Sequence, residues 1–83
     1  MWLLLFLSLF VAAKQKHHII LGENIRSIRK KAHMSQEKLA EKADLHHNYI
    51  GEIERGEKAA TIDTLLKIAK GLRVKVRSLV ERL

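Results

Sequence analysis

Eighty-three residues allow one small domain and leave no room for a second hydrophobic core. The chain has no cysteine, which excludes a disulfide framework and any cysteine metal site and suits a reducing compartment. Sixteen Lys and Arg against nine Asp and Glu give a net charge of +7, an excess that fits a polyanionic partner, either nucleic acid or an anionic membrane surface.

From Trp2 to Ala13 the chain is apolar apart from Ser8. As a helix these residues would span about 18 Å, short of the ~30 Å core of a bilayer. The length suits the apolar part of a signal peptide, and Val11-Ala12-Ala13 resembles a cleavage site, but no Lys or Arg precedes the run. Three readings stand open: a signal or anchor segment, a helix packed on the domain or across a dimer, or a consequence of start-site choice with little role. We expect a hydrophobic helix buried against its own domain or a dimer mate rather than an exported segment, because an all-apolar helix must be covered. Lys14 to His18 (KQKHH) is polar and reads as a connection. Residues 1–18 thus form an apolar extension with its polar connection, and residues 19–83 form the folded domain.

Beyond the connection the apolar residues follow helical spacing. Ile25, Ile28 and Ala32 line one face of a first helix, with Arg26, Arg29, Lys30 and Lys31 around it. Ser35 is a good N-cap for a short second helix, QEKLAEKA, with Leu39, Ala40 and Ala43 inward and Glu37 in the first turn. A third helix is predicted from about His47 to Arg55, with Ile50 and Ile53 inward and Gly56 as its stop. Thr61 caps a fourth, IDTLLKIAK. A short fifth holds Val76, Leu79 and Val80. No window alternates as a strand would. The expected fold is all-α: a compact five-helix bundle with an extra apolar N-terminal helix. Such a small core is marginal alone, so dimerisation would help, and Val76-Leu79-Val80-Leu83 is a candidate surface for it.

Residues 35–57, SQEKLAEKADLHHNYIGEIERGE, describe two short helices joined by a turn of three or four residues. Ala40 is small where the helices cross, Leu45 plugs the angle between them, and Ile50 and Ile53 anchor the second from below. His46, His47, Asn48 and Glu52 are left on the outer face and N-terminal end of that second helix. This is the layout of a helix-turn-helix, whose second helix enters the major groove.

The stretches MSQEKLAEKADL, YIGEIERGE and TLLKIAKGL, at this spacing, make residues 22 to about 80 resemble the Cro and phage-repressor type of helix-turn-helix protein, the XRE family. The chain departs from the family pattern at Asp44, in the turn where glycine is common, and at Arg73, where glycine often ends the fourth helix. The resemblance implies a lambda-repressor-like fold with double-stranded DNA as the partner. It places Gln36 at the groove entrance, touching a phosphate or a base edge. It puts His46, His47, Asn48 and Glu52 on base-reading positions, and Ser35, Tyr49 and Lys58 on phosphate-contacting ones. The chemistry agrees: Asn pairs with adenine N6/N7, Glu accepts from cytosine N4, His donates to guanine N7. Arg29 and Glu54 match a pair that is a buried salt bridge in family members, a structural role rather than a catalytic one. Gly51 reads no base and permits close backbone approach.

Other chemistry is excluded. Five histidines invite a metal site, but His17-His18 and His46-His47 are adjacent pairs that diverge on a helix, with no carboxylate or cysteine at useful spacing. No nucleophile motif, phosphate-binding glycine loop or paired carboxylate suggests an enzyme. We therefore expect no metal, no cofactor, no small-molecule substrate and no membrane partner. The leading expectation is a cytoplasmic sequence-specific transcriptional regulator. It would be a repressor binding a palindromic operator as a homodimer through the helix at about 47–55. Stand-alone proteins of the type include phage repressors, restriction–modification controllers and antitoxins. The alternative is a protein-interaction module, such as an antitoxin bound to its toxin or to another regulator, with DNA secondary. A third reading is a membrane-tethered regulator using residues 2–13.

Overall fold

A computed structural model describes residues 15–83. The expectation for residues 2–13 lies outside these. Among the described residues the chain forms five helices and no strand: α1 (Lys16–Lys31), α2 (Gln36–Ala43), α3 (His47–Glu54), α4 (Ile62–Leu72) and α5 (Val76–Leu79). The all-α expectation holds. One boundary does not: Lys16, His17 and His18, read as part of a connection, are the first turn of α1. The cause is tertiary. Further along the same helix Leu21 and Gly22 are buried, and that docking fixes a helix whose N-terminus no side chain caps.

Each later helix begins and ends for a local reason. Ser35 Oγ accepts the Lys38 N–H at 2.9 Å and Thr61 Oγ1 accepts that of Thr64 at 3.1 Å, as predicted. The turn after α2 puts Asp44 in the left-handed region (φ 55°, ψ 50°), and the Leu45 N–H closes on the Ala40 carbonyl at 2.9 Å. Asp therefore takes the conformation that glycine more often supplies. Arg73 does the same after α4 (φ 57°, ψ 43°), with Val74 N–H on Ala69 carbonyl at 3.0 Å. Gly56 ends α3 at φ 72°, where glycine carries no Cβ penalty.

The core is one cluster in which Ile25, Leu39, Ile50, Ile53, Ile68 and Leu79 are fully enclosed. Burying one such side chain contributes about 1.5–3 kcal/mol. Helix α2 packs on α3 and α4, and α1 packs on α3 and α5. Gly22 makes the second arrangement possible: a Cβ there would stand 2.4 Å from the Ile53 carbonyl oxygen and 2.5 Å from that of Glu54. The backbones of α1 and α3 touch at this point. At the far end Asn24, buried on α1, donates from Nδ2 to the carbonyls of Leu79 (2.9 Å) and Glu81 (2.7 Å). It thereby satisfies acceptors that the short α5 leaves over. Arg82 donates back to Asn24 Oδ1 at 2.9 Å. Leu79, read as surface, is core, so the C-terminal stripe is not an open apolar face. Large apolar side chains are exposed instead at Ile62 and Leu66, four residues apart on α4, and at Ile19 and Leu83.

Candidate nucleic-acid interface

The turn between α2 and α3 sets the geometry of the site. It directs the first turn of α3 outward, so that His47 and Asn48 stand exposed while Ile50 and Ile53 are buried beneath them. His46 is the N-cap of α3, and its Nδ1 accepts the Asn48 backbone N–H at 3.2 Å. Its ring stacks on that of His47, with centroids 4.5 Å apart. The accepting Nδ1 fixes a tautomer with the proton on Nε2, a donor on the outside of the helix end.

All eight residues expected to meet DNA lie on one continuous surface. A cleft between α2 and α3 is lined by Ser35, Gln36, His47, Asn48, Glu52 and Arg55, among others. A second, sharing Asn48 and Glu52, adds His46, Tyr49 and Lys58. Their states differ, however. Ser35 uses Oγ as a helix cap. Tyr49 is half-buried, and its hydroxyl donates to the Ala59 carbonyl at 3.2 Å. Lys58 lies 3.4 Å from Glu52 Oε2, so a groove-reading candidate and a phosphate-binding candidate are paired with each other. Such an exposed pair is weak and opens readily.

Beneath the cleft sits a buried network. Glu54 Oε2 accepts from Arg29 Nε at 2.6 Å, and Oε1 accepts from the arginine's second terminal nitrogen at 2.9 Å. The side chains are 2% and 9% exposed. Hydrogen bonding to Glu54 raises the pKa of Arg29 above the usual arginine value, against the opposing effect of burial. Arg29 also donates to the Met34 carbonyl at 2.8 Å, which ties the α1–α2 turn to α3. Gln36 completes the network by donating from Nε2 to Glu54 Oε1 at 3.0 Å.

One residue and one pairing gave no signal in the sequence. Arg55 borders the cleft with its guanidinium near Gly51 and pairs with Glu57 at 2.5 Å, which raises its pKa. As one more charged residue at a helix end it carried no distinguishing mark. The Gln36–Glu54 bond joins positions 18 apart, with no periodicity between them. Among the described residues no group of three or more His, Asp or Glu is placed to hold a metal, and no helix is long and apolar enough to cross a membrane.

The helix-turn-helix family matches residues 25–79. Control protein C.SmaI of Serratia marcescens is 48% identical over 63 residues, covering 76% of this chain and 75% of the relative. Control protein C.BamHI of Bacillus amyloliquefaciens is 44% identical over 64 residues, covering 76% and 79%. The fold is similar to that of the restriction-modification controller protein C.AhdI from Aeromonas hydrophila. The TM-score is 0.74 at 32% identity, over 75% of this chain and 94% of that one.

Proposed function

This chain belongs to the helix-turn-helix family of DNA-binding transcriptional regulators, and from that premise we propose that it binds a palindromic operator as a homodimer and controls the genes of a restriction–modification system. The observation that carries the DNA-binding reading is the exposed first turn of α3, where His47 and Asn48 project above a cleft shared with α2. A helix end of this kind reaches base edges while flanking groups hold phosphates. In this reading Gln36, His46, His47, Asn48 and Glu52 face bases, and Ser35, Tyr49 and Lys58 face the backbone. Arg29 and Glu54 hold α3 at the required angle. The relatives' names favour a restriction–modification controller over an antitoxin.

Support for the dimer comes from α4. Ile62 is 70% exposed and Leu66 54%, and their spacing puts both on one helix face. Covering that face against a second copy would add apolar burial to a domain with a small core. A selection from random duplex DNA at two salt concentrations tests the reading. We expect one enriched sequence with two-fold symmetry and an affinity that falls as salt rises. Enrichment of no sequence would overturn it. Sedimentation of Leu66→Lys against the parent tests the dimer, with a shift toward monomer expected.

A further inference from the structure

We propose that Gln36 reads an A·T pair in the major groove, through an amide whose orientation is set by Glu54. The inference rests on the DNA-binding reading above. Glu54 Oε1 receives the Gln36 Nε2 at 3.0 Å. An ionised carboxylate only accepts hydrogen bonds, so the amide must turn its nitrogen toward Glu54 and its oxygen away. Glu54 cannot swing aside, because Arg29 grips both its oxygens at 2.6 and 2.9 Å. A side chain at the start of α2 is thus held by the ion pair that joins α1 to α3.

The carbonyl oxygen of Gln36 falls over Gly51, 3.2 Å from where a Cβ of that residue would stand. Because Gly51 has no side chain, this oxygen and the Arg55 Nη1, 3.0 Å from the same point, share the space beside it, in the cleft with His47 and Asn48. One N–H of the amide is occupied by Glu54. What remains is one N–H and the carbonyl oxygen, a donor beside an acceptor. Adenine offers the complement, an N7 acceptor beside an N6 amino donor. Guanine offers two acceptors, and would need both amide N–H groups. Cytosine offers only its amino group, and thymine an acceptor beside a methyl. The held orientation therefore favours adenine and disfavours guanine, and it spares the side chain some ordering on binding.

The test is a selection from random duplexes with the full chain and with Gln36→Met, after thermal melts have matched the variant to the parent. Gln36 is the first residue of α2 and Ser35 supplies its cap, so the change removes no cap. The parent is expected to prefer A·T at one position in each half-site by between about fivefold and about a hundredfold. Gln36→Met should lose that preference alone. A uniform loss of affinity with an unchanged profile would mean a phosphate contact and would overturn the inference while leaving the DNA-binding reading intact. No enrichment by the parent would remove both. A second measurement needs no DNA: the Gln36 side-chain amide proton bonded to Glu54 should exchange slowly with solvent in the nuclear magnetic resonance spectrum. Exchange as fast as in an unstructured peptide would equally overturn the held orientation.

Discussion

Glu52 and Glu54 stand two residues apart on α3 and have opposite fates. On an α-helix that spacing turns one side chain about 200° from the other. Glu54 points inward, 2% exposed, and is held by the Arg29 fork. Glu52 points outward, 29% exposed, with the Lys58 ammonium at 3.4 Å. One short helix thus carries a carboxylate that builds the fold and another that meets the solvent side of the interface. A charge at the first position is costly to strand; a charge at the second is screened by water and salt. Gln36 is the point where the two regions meet, since it touches Glu54 below and lines the cleft with Glu52 above.

The largest expected effect is on the inner side. Glu54→Ala leaves the Arg29 guanidinium buried without its partner, which should cost about 3–5 kcal/mol. Small domains have about 5 kcal/mol in total at the low end of their range, so the thermal transition should fall close to ambient temperature or vanish. A melt that matches the parent would break the distinction between the two glutamates. The double change Arg29→Met with Glu54→Leu sharpens it, because removing both charges together should restore most of the loss. Specificity should still suffer in the double variant, as Gln36 has then lost its anchor.

An uncharged interior group should follow the same rule more weakly. Asn24→Ala strands the carbonyl of Leu79, and takes one partner from the Glu81 carbonyl and from Arg82, which keeps Glu23 at 3.6 Å. The expected cost is about 1–3 kcal/mol in chemical denaturation. A change below about 0.5 kcal/mol would show that water replaces the amide at this end of the bundle.

The sequence made legible whatever is encoded locally. Ser35 and Thr61 are caps because their short hydroxyl side chains suit that role, and Gly56 sits where φ is positive. The Arg29–Glu54 pair was legible through family likeness. What escaped depends on contacts between distant parts of the chain. Gly22 carries no local signal, yet it is where α1 lies against α3 with no room for a methyl group. Nothing local marks Asn24 either, since its partners lie 55 and 57 positions away. The polar start of α1 lacks a capping residue, so no local rule placed it at Lys16. Leu79 reads as surface because α5 is too short to reveal its buried face by periodicity. At the candidate site the residue types were legible, but their pairing was not: neither Lys58 on Glu52 nor Gln36 on Glu54 follows from spacing.

On the outer side the effects should appear in binding and not in folding. Asn48 is exposed, and only its backbone N–H takes part in the cap of α3. Asn48→Ala should therefore leave the melt within about 0.5 kcal/mol of the parent. It should weaken specific binding by about 1–3 kcal/mol and relax one operator position, read by competition among operator variants. An unaltered profile would remove Asn48 from the reading surface.

The smallest effect on stability belongs to Glu52 and Lys58, and it completes the comparison. Lys58→Ala removes one phosphate partner, so affinity should fall alike for all sequences and the log–log salt slope should become shallower by about 0.9. Glu52→Gln acts in the opposite sense. Without the carboxylate 3.4 Å away, the Lys58 ammonium no longer has to leave a partner to reach a phosphate. Affinity for random DNA should rise. If Glu52 also accepts from a cytosine amino group, discrimination at that position should fall in the same variant, because an amide offers a donor as well as an acceptor. Both variants should melt within about 0.5 kcal/mol of the parent, since an exposed pair is worth little in folding. A loss on the scale expected for Glu54→Ala would mean that the outer carboxylate also holds α3 in place, and the two faces of the helix would no longer divide folding from recognition.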